Sequence, residues 1–350
     1  MSSIIEMPVL VMEKIIEFSD FKAVLTLRQV CRDFRNFIDV LRDSKLPDSA
    51  IKAIVIVSDY EEDDSKITMD FLFSDNHFDS FEYSEMEHSR TFETKENPER
   101  RTTTDLGDSN IVDVAIRDLE WILKFQKSDL NGSYFYFDDF RLHNDSSIYT
   151  LPIKVSNMLN VSGRKIKTRE LSITTYNKSN NIMSVLPFAD SETLTSLDLI
   201  PLEEGIIIID EIAEIAKTEQ WKATKELKCD FCLMNLNVED ICHFSRMKIK
   251  IPSITARDLD FLKKTYISSS KFVHAFFDLG CFNDIEEISD LWGPAFTPGL
   301  SKHFWYFRRK NSDEKVLRIE FYRNIEAFIF EIVESKDVPN GAVIHDYNGN

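Results

Sequence analysis

Between Met7 and Leu41 the apolar side chains recur at helical spacing, with a Lys or Arg every few residues. Val11, Met12, Ile15 and Ile16 form one stripe, and Pro8 suits a helix first turn. Ser19-Asp20 reads as a stop followed by a new N-cap, which makes Phe21–Val30 a second helix. Cys31–Leu41 continues helically, with Phe34, Phe37, Ile38 and Leu41 on one side, and Pro47 closes the segment. The pattern predicts three short helices.

From about Ile51 the period changes from helical to two. "AIKAIVIVS" has strand composition, "ITMDFLFSD" alternates, and "FDSFEYSE" reads as a third strand, with "DYEEDDSK" (Asp59–Lys66) as an acidic turn between the first two. Residues Glu85–Asp108 are polar and hold no apolar period, so they are expected to form a long mobile loop. Ser109–Lys127 returns to helical period, "SYFYFDDF" reads as a buried strand, and Ser147–Ser162 as a helix.

After that the chain repeats loosely. Short strands at Glu170–Thr174, Ser196–Ile200, Glu226–Phe231 and Arg246–Ile251 carry the apolar pairs Leu171/Ile173, Leu197/Leu199, Leu227/Cys229 and Met247/Ile249. Each precedes a helical stretch, at Asn181–Phe188, Ile208–Thr218, Val238–Phe244 and Thr255–Ser268. No such unit buries its own apolar face. Neighbours are therefore expected to stack into a curved parallel sheet with helices outside, an irregular leucine-rich-repeat-like β-α solenoid. "HFWYFRR", "VLRIEFYR" and "EAFIFEIVE" then predict a small antiparallel β piece, and the last dozen residues are expected to fray. The fold class expected is α/β.

Composition narrows the partners. The 350 residues hold 27 Phe but only 9 Gly and 10 Pro, which favours packed elements over disorder. A formal charge of -18 repels phosphate backbones and anionic leaflets, so neither nucleic acid nor a membrane is expected as a direct ligand. Five scattered Cys make no disulfide framework. No signal peptide is visible and "GIIIID" at Gly205–Asp210 is too short to span a bilayer, which together point to the cytoplasm or nucleus.

Candidate chemistry is sparse. "CDFC" (Cys229–Cys232) with Cys242-His243 downstream has some zinc-ligand character, yet residues three apart in a strand face opposite sides, and ordinary buried cysteines explain it. Asp59, Glu61, Glu62, Asp63 and Asp64 lack the glycine and spacing of a calcium loop and read as a solvated turn. Gln220-Trp221-Lys222 reads as a plug at a helix-to-strand corner rather than a binding hot spot. His77, His88, His143, His243, His274, His303 and His345 are dispersed, and no P-loop, nucleophile elbow or zinc-protease motif occurs. No catalytic residue, metal or cofactor is expected, and the chain reads as a non-enzyme.

Two segments carry a family resemblance. Met7-Pro8, Ile15-Ile16 and Arg28-Gln29-Val30-Cys31-Arg32-Asp33-Phe34 resemble the pattern of an F-box, with Met7 replacing the usual Leu and Phe34 the usual Trp. "TEQWKATKEL" (Thr218–Leu227), Phe244 and "DLDFLKK" before a Ser-rich stretch resemble the FTH domain. The order, F-box first and FTH later, is that of the nematode F-box A family. The resemblance implies an F-box over residues 1–48, a divergent segment over 49–140, an FTH domain over 141–290 and terminal strands over 291–350. It further implies a substrate-recognition subunit of a Skp–cullin–F-box ubiquitin ligase, docking a Skp-type adaptor, and through it cullin, while holding an unknown protein target. A non-degradative binding scaffold is the alternative, and an enzyme on the same scaffold a third.

The residues agree with that implication. Twenty of the 35 residues from Met7 to Leu41 are apolar, more than three short helices hide among themselves, and a surplus apolar face marks a partner surface. Pro8, Val11, Ile15, Ile16, Val24, Leu27, Val30, Cys31 and Phe34 are the expected adaptor contacts, although some of the nine must instead be internal core. A helical cap packing on its own chain is the competing reading.

Overall fold

Alternation, caps and breakers along the chain set its elements, seen here in a computed structural model that describes residues 7–61, 64–73, 77–94, 101–138, 146–176, 179–203, 205–209, 212–299, 301–310 and 312–346. The fold is mixed α/β, and the chain divides into two compact units, Met1–Arg169 and Glu170–Asn350.

In the first unit α1 (Val9–Phe18), α2 (Phe21–Val30) and α3 (Arg32–Val40) fall where the helical stripes place them. The Asp20 carboxylate accepts from the Ala23 N–H at 2.7 Å, so the expected N-cap of α2 forms. β1 (Ala53–Glu61), β2 (Asp64–Leu72), β3 (Phe78–Ser84), β4 (Ser89–Thr94) and β5 (Thr102–Asp105) form an antiparallel meander. α4 (Ile111–Phe125) leads to β6 (Leu130–Phe137), which pairs with β1 in parallel, and α5 (Leu151–Ser162) follows. Ile54, Ile56, Ile67, Met69 and Phe71 send alternate side chains inward, where the apolar face of α4 is also buried.

Two expectations fail in this unit. The described residues of 85–108 contain β4 and β5 rather than the expected mobile loop, and residues 95–100 of that span lie outside the described residues. Polar contacts build them: the Thr91 and Thr103 hydroxyls lie 3.1 Å apart across the two strands, and Arg90 reaches Asp118 of α4 at 2.8 Å. The turn into β4 closes at His88, in the left-handed region at φ 47°. Nor is the acidic stretch wholly a solvated turn. Asp59 and Glu61 belong to β1, and Asp64 is buried, accepting from the Ser84 hydroxyl at 2.7 Å and the Met86 N–H at 2.9 Å. Glu62 and Asp63, like Asp139-Phe140 at the end of "SYFYFDDF", lie outside the described residues.

In the second unit β7 (Thr168–Thr175), α6 (Ser179–Val185), β8 (Ser196–Pro201), β9 (Ile208–Ile209), α7 (Ile212–Lys217), α8 (Glu219–Ala223), β10 (Glu226–Leu233), β11 (Arg246–Ile251), α9 (Ala256–Ser268) and β12 (His274–Leu279) follow in order. β7, β8, β10, β11 and β12 pair in parallel, in that sequence. The expected apolar pairs fall into register as two rows. Leu171, Leu197, Leu227, Met247 and Ala275 make one, and Ile173, Leu199, Cys229, Ile249 and Phe277 the other, all buried. The fifth strand, β12, extends the four-strand pattern. α9 carries a capping box in which Thr255 and Asp258 satisfy each other's backbone N–H groups.

Here too the helices depart from expectation. Ile208-Ile209 is a strand pairing with Cys232-Leu233, so the helix begins only at Ile212. Val238–Phe244 holds a single 3-10 turn at Val238–Asp240, with Ile241 and Phe244 buried as plugs. A bulge interrupts β10 between Cys229 and Cys232, yet the register sets Cys229 beside Ile249 and Cys232 beside Lys250, so the two cysteines are buried and face opposite sides of the sheet, as expected.

After α10 (Ile285–Trp292), β13 (Lys302–Arg309), β14 (Ser312–Tyr322) and β15 (Ala327–Glu334) form the expected antiparallel piece, and β15 pairs antiparallel with β12. The tail is tied down through His345 rather than frayed, because β16 (Ile344–His345) pairs with Tyr306-Phe307.

Candidate functional site

The three amino-terminal helices bury a small internal core and leave a larger apolar remainder outside. Met12 and Ile16, one turn apart on α1, point inward with Phe21 and Val24 of α2 and Phe34 and Ile38 of α3. The helices are also fastened to α4. Phe21 meets Phe125 edge to face at 5.0 Å, and the Arg28 guanidinium sits 4.1 Å over the Trp121 ring while donating to both Asp39 oxygens at 2.8 and 3.2 Å. The chain leaving the helices is pinned at Asp48. Its carboxylate accepts from the Lys127 and Ala50 N–H groups at 3.1 and 3.2 Å and from the Ser128 hydroxyl. Burial pushes the Asp48 carboxyl up, but these donors outweigh it and hold it below the usual carboxylate range.

Of the nine residues expected on the docking face, Ile16, Val24 and Phe34 are buried within the first unit and are corrected to core. With Met12, Phe21 and Ile38 they make up the buried apolar set of the three helices. Ile15, Leu27 and Cys31 are half-buried, and the Cys31 sulfur caps α3 by accepting from the Phe34 N–H at 3.5 Å. Pro8, Val11 and Val30 are exposed. Sequence reasoning missed Met7, Val9, Leu10, Phe18 and Val40, all exposed, with Phe18 at 83% and Val40 at 79%. Val11, Ile15 and Phe18 follow i, i+4, i+7 spacing and form one outward stripe of α1, a signal available from the first-helix pattern alone. Lys14 crosses this face, 5.6 Å over the Phe18 ring and paired with Glu17 at 2.7 Å. What the arrangement offers, among the described residues, is a rim of exposed aliphatic and aromatic groups, with Lys14 over Phe18, on helices packed against α4 from behind.

Gln220, Trp221 and Lys222 sit in α8. Trp221 is fully buried. Its indole N–H donates to the Asp240 carbonyl at 2.8 Å, and its ring meets Phe244 edge to face at 5.2 Å. The Gln220 amide donates to the Pro187 and Ala189 carbonyls at 3.1 and 2.7 Å, and His243 Nε2 donates to the Trp221 carbonyl at 3.0 Å. The pair braces the turns before β8 and β11, while Lys222 is exposed. Cys229 has no thiolate character, because burial pushes its thiol up to about 12. Burial raises Cys232 and Cys242 as well. Among the described residues no group of three His, Cys, Asp or Glu side chains converges on a metal position.

Comparison with known proteins gives two matches, an F-box domain over residues 4–53 and an FTH domain over residues 152–292. The first runs through α1–α3 to the start of β1, and the second opens in α5 and closes with α10. No curated protein and no solved structure matches the chain. The chain thus carries an F-box domain at its amino-terminal side followed by an FTH domain.

Proposed function

We propose that the protein is the substrate-recognition subunit of a Skp–cullin–F-box ubiquitin ligase, docking a Skp-type adaptor through α1 and the ends of α2 and α3. The observation that carries this reading is the exposed set Met7, Pro8, Val9, Leu10, Val11, Phe18, Val30 and Val40, in the same segment that matches the F-box. Covering each large side chain fully is worth about 1.5–3 kcal/mol before association costs, so a few suffice to hold a partner. Ile15, Leu27 and Cys31 form the inner margin of this face. The FTH region holds the protein target, and its parallel ladder is read as a leucine-rich-repeat-like scaffold that presents it. The domain order favours the nematode F-box A family. The chain itself carries out no chemistry, since tethering a target beside the ubiquitin-loading enzyme raises effective concentration without a catalytic group. It works where such ligases do, in the cytoplasm or nucleus.

Affinity purification of the full chain with the proteasome blocked tests this. The reading expects adaptor, cullin and target together, and loss of adaptor and cullin but not target on Val11→Glu with Phe18→Glu. Recovery of the target without adaptor from the unaltered chain would instead favour a scaffold that does not lead to degradation.

A further inference from the structure

A groove of about 470 Å³ in the first unit runs between the turn at Asp43-Ser44 after α3, the end of α4 and the segment after α5. Its lining residues carry five cations, Lys124, Lys127, Arg164, Lys165 and Lys167, against one carboxylate, Asp43. Its floor is apolar, from Leu123, Leu130, Leu159 and Ile166. In a chain whose formal charge is -18, gathering five cations against one carboxylate around one concave surface makes that lining cationic where the molecule as a whole is anionic.

The cations are of two kinds. Arg164 is occupied: one arm donates to the Glu120 carbonyl at 3.3 Å and the other pairs with Asp43. It fixes the wall and cancels the lone carboxylate. Lys124 lies 4.6 Å from the Trp121 ring centre and Lys127 donates to the Ser44 carbonyl at 3.2 Å, contacts that place their ammonium groups without neutralising them. Lys167 is exposed.

We propose that this groove docks an acidic, extended peptide segment of a protein partner. Three physical points select that occupant. Dispersed lysines offer several point charges along a surface, which suits successive carboxylates. A single phosphate favours a guanidinium fork, and the one guanidinium here is already engaged by both arms. The apolar floor accepts aliphatic side chains set between the acidic ones. A long polyanion such as RNA would extend beyond the groove into the repulsive field of the remaining surface, whereas a short segment stays within about one Debye length of the lysines.

The groove shares no lining residue with the exposed set Met7–Val11, Phe18, Val30 and Val40, so the inference does not rest on adaptor docking. Its test uses the full chain and a short fluorescein-labelled peptide of Glu-Glu-Leu repeats, followed by anisotropy at low and at moderate salt. Binding should weaken about tenfold or more as salt rises, and again by about tenfold in Lys127→Glu with Lys167→Glu, with a smaller loss in the corresponding Gln variant. The melting temperature and adaptor capture should stay unchanged, which separates failure here from failure of the ligase reading. Equal affinity for a Gln-Gln-Leu peptide, indifference to the double charge reversal, or tighter binding of a Gln-Gln-Leu peptide bearing one phosphoserine would each overturn the proposal.

Discussion

Trp221 shows how one side chain can hold several turns at once. Its ring fills the space beside Phe244, its indole N–H ties Asp240, and its carbonyl receives His243, while the neighbouring Gln220 ties Pro187 and Ala189. Trp221→Ala should cost about 3–5 kcal/mol of stability, read as a shift in urea midpoint. Trp221→Phe should cost less, about 1 kcal/mol for the lost hydrogen bond plus a packing loss, because Asp240 is exposed enough for water to replace the indole. The thiols make a second residue-scale prediction. Cys281 is exposed, whereas Cys229 is buried with its thiol pushed up to about 12. Alkylation at mildly alkaline pH, followed by peptide mass spectrometry, should label Cys281 first and Cys229 last.

Among the elements, the F-box helices owe their placement to contacts remote in sequence. Phe21 and Arg28 pack on Phe125 and Trp121, and Asp48 gathers N–H groups from Lys127 and Ser128. The folded-state carboxyl of Asp48 lies below its usual 3.8, so its stabilisation is complete above that value and is lost as pH falls through the lower folded one. Acid titration followed by tryptophan fluorescence should therefore show a transition below about pH 4 that is weaker in Asp48→Asn. The same remoteness explains what the sequence could and could not reveal. Ile15 and Ile16 are adjacent and equally apolar, and only the packing of the helices decides that Ile16 is core while Ile15 lies at the margin. The rows Leu171–Ala275 and Ile173–Phe277 were legible because buried strands write a period of two into the sequence. β4 and β5 were not, because strands such as "SRTFET" and "TTTD" are held by backbone pairing and hydroxyl contacts and carry little apolar signal. The two-residue strand at Ile208-Ile209 and the plug formed by Ile241 and Phe244 hold apolar residues without a helix, since Ile208-Ile209 pairs with β10 and Phe244 packs on Trp221.

Over the whole molecule, charge is the dominant long-range term. A formal -18 spread over the chain makes like-charge repulsion a cost of folding, so moderate salt should raise the melting temperature even while it weakens binding at the basic groove. The half-buried histidines of the second unit add a pH dependence. His274, His303 and His345 are all held below the ordinary histidine value, first by burial, then by Arg246 and Arg318 against the pull of Glu331 for His274, by Arg323 for His303 and by Lys263 for His345. A histidine lowered in the folded state contributes stability that is full above about 6.5 and is lost as pH falls through the depressed value. The urea midpoint should accordingly fall between pH 7.5 and 5.5, and less so in His274→Gln with His303→Gln. The central claim concerns the apolar rim of the amino-terminal helices, and it is tested most directly by calorimetric titration of a purified Skp-type adaptor into the full chain and into the Val11→Glu, Phe18→Glu variant. The account predicts tight binding with a negative heat-capacity change for the first, and at least about a hundredfold loss with an unchanged melting temperature for the second. Equal affinity of the two proteins for the adaptor, or no heat from either, would contradict it.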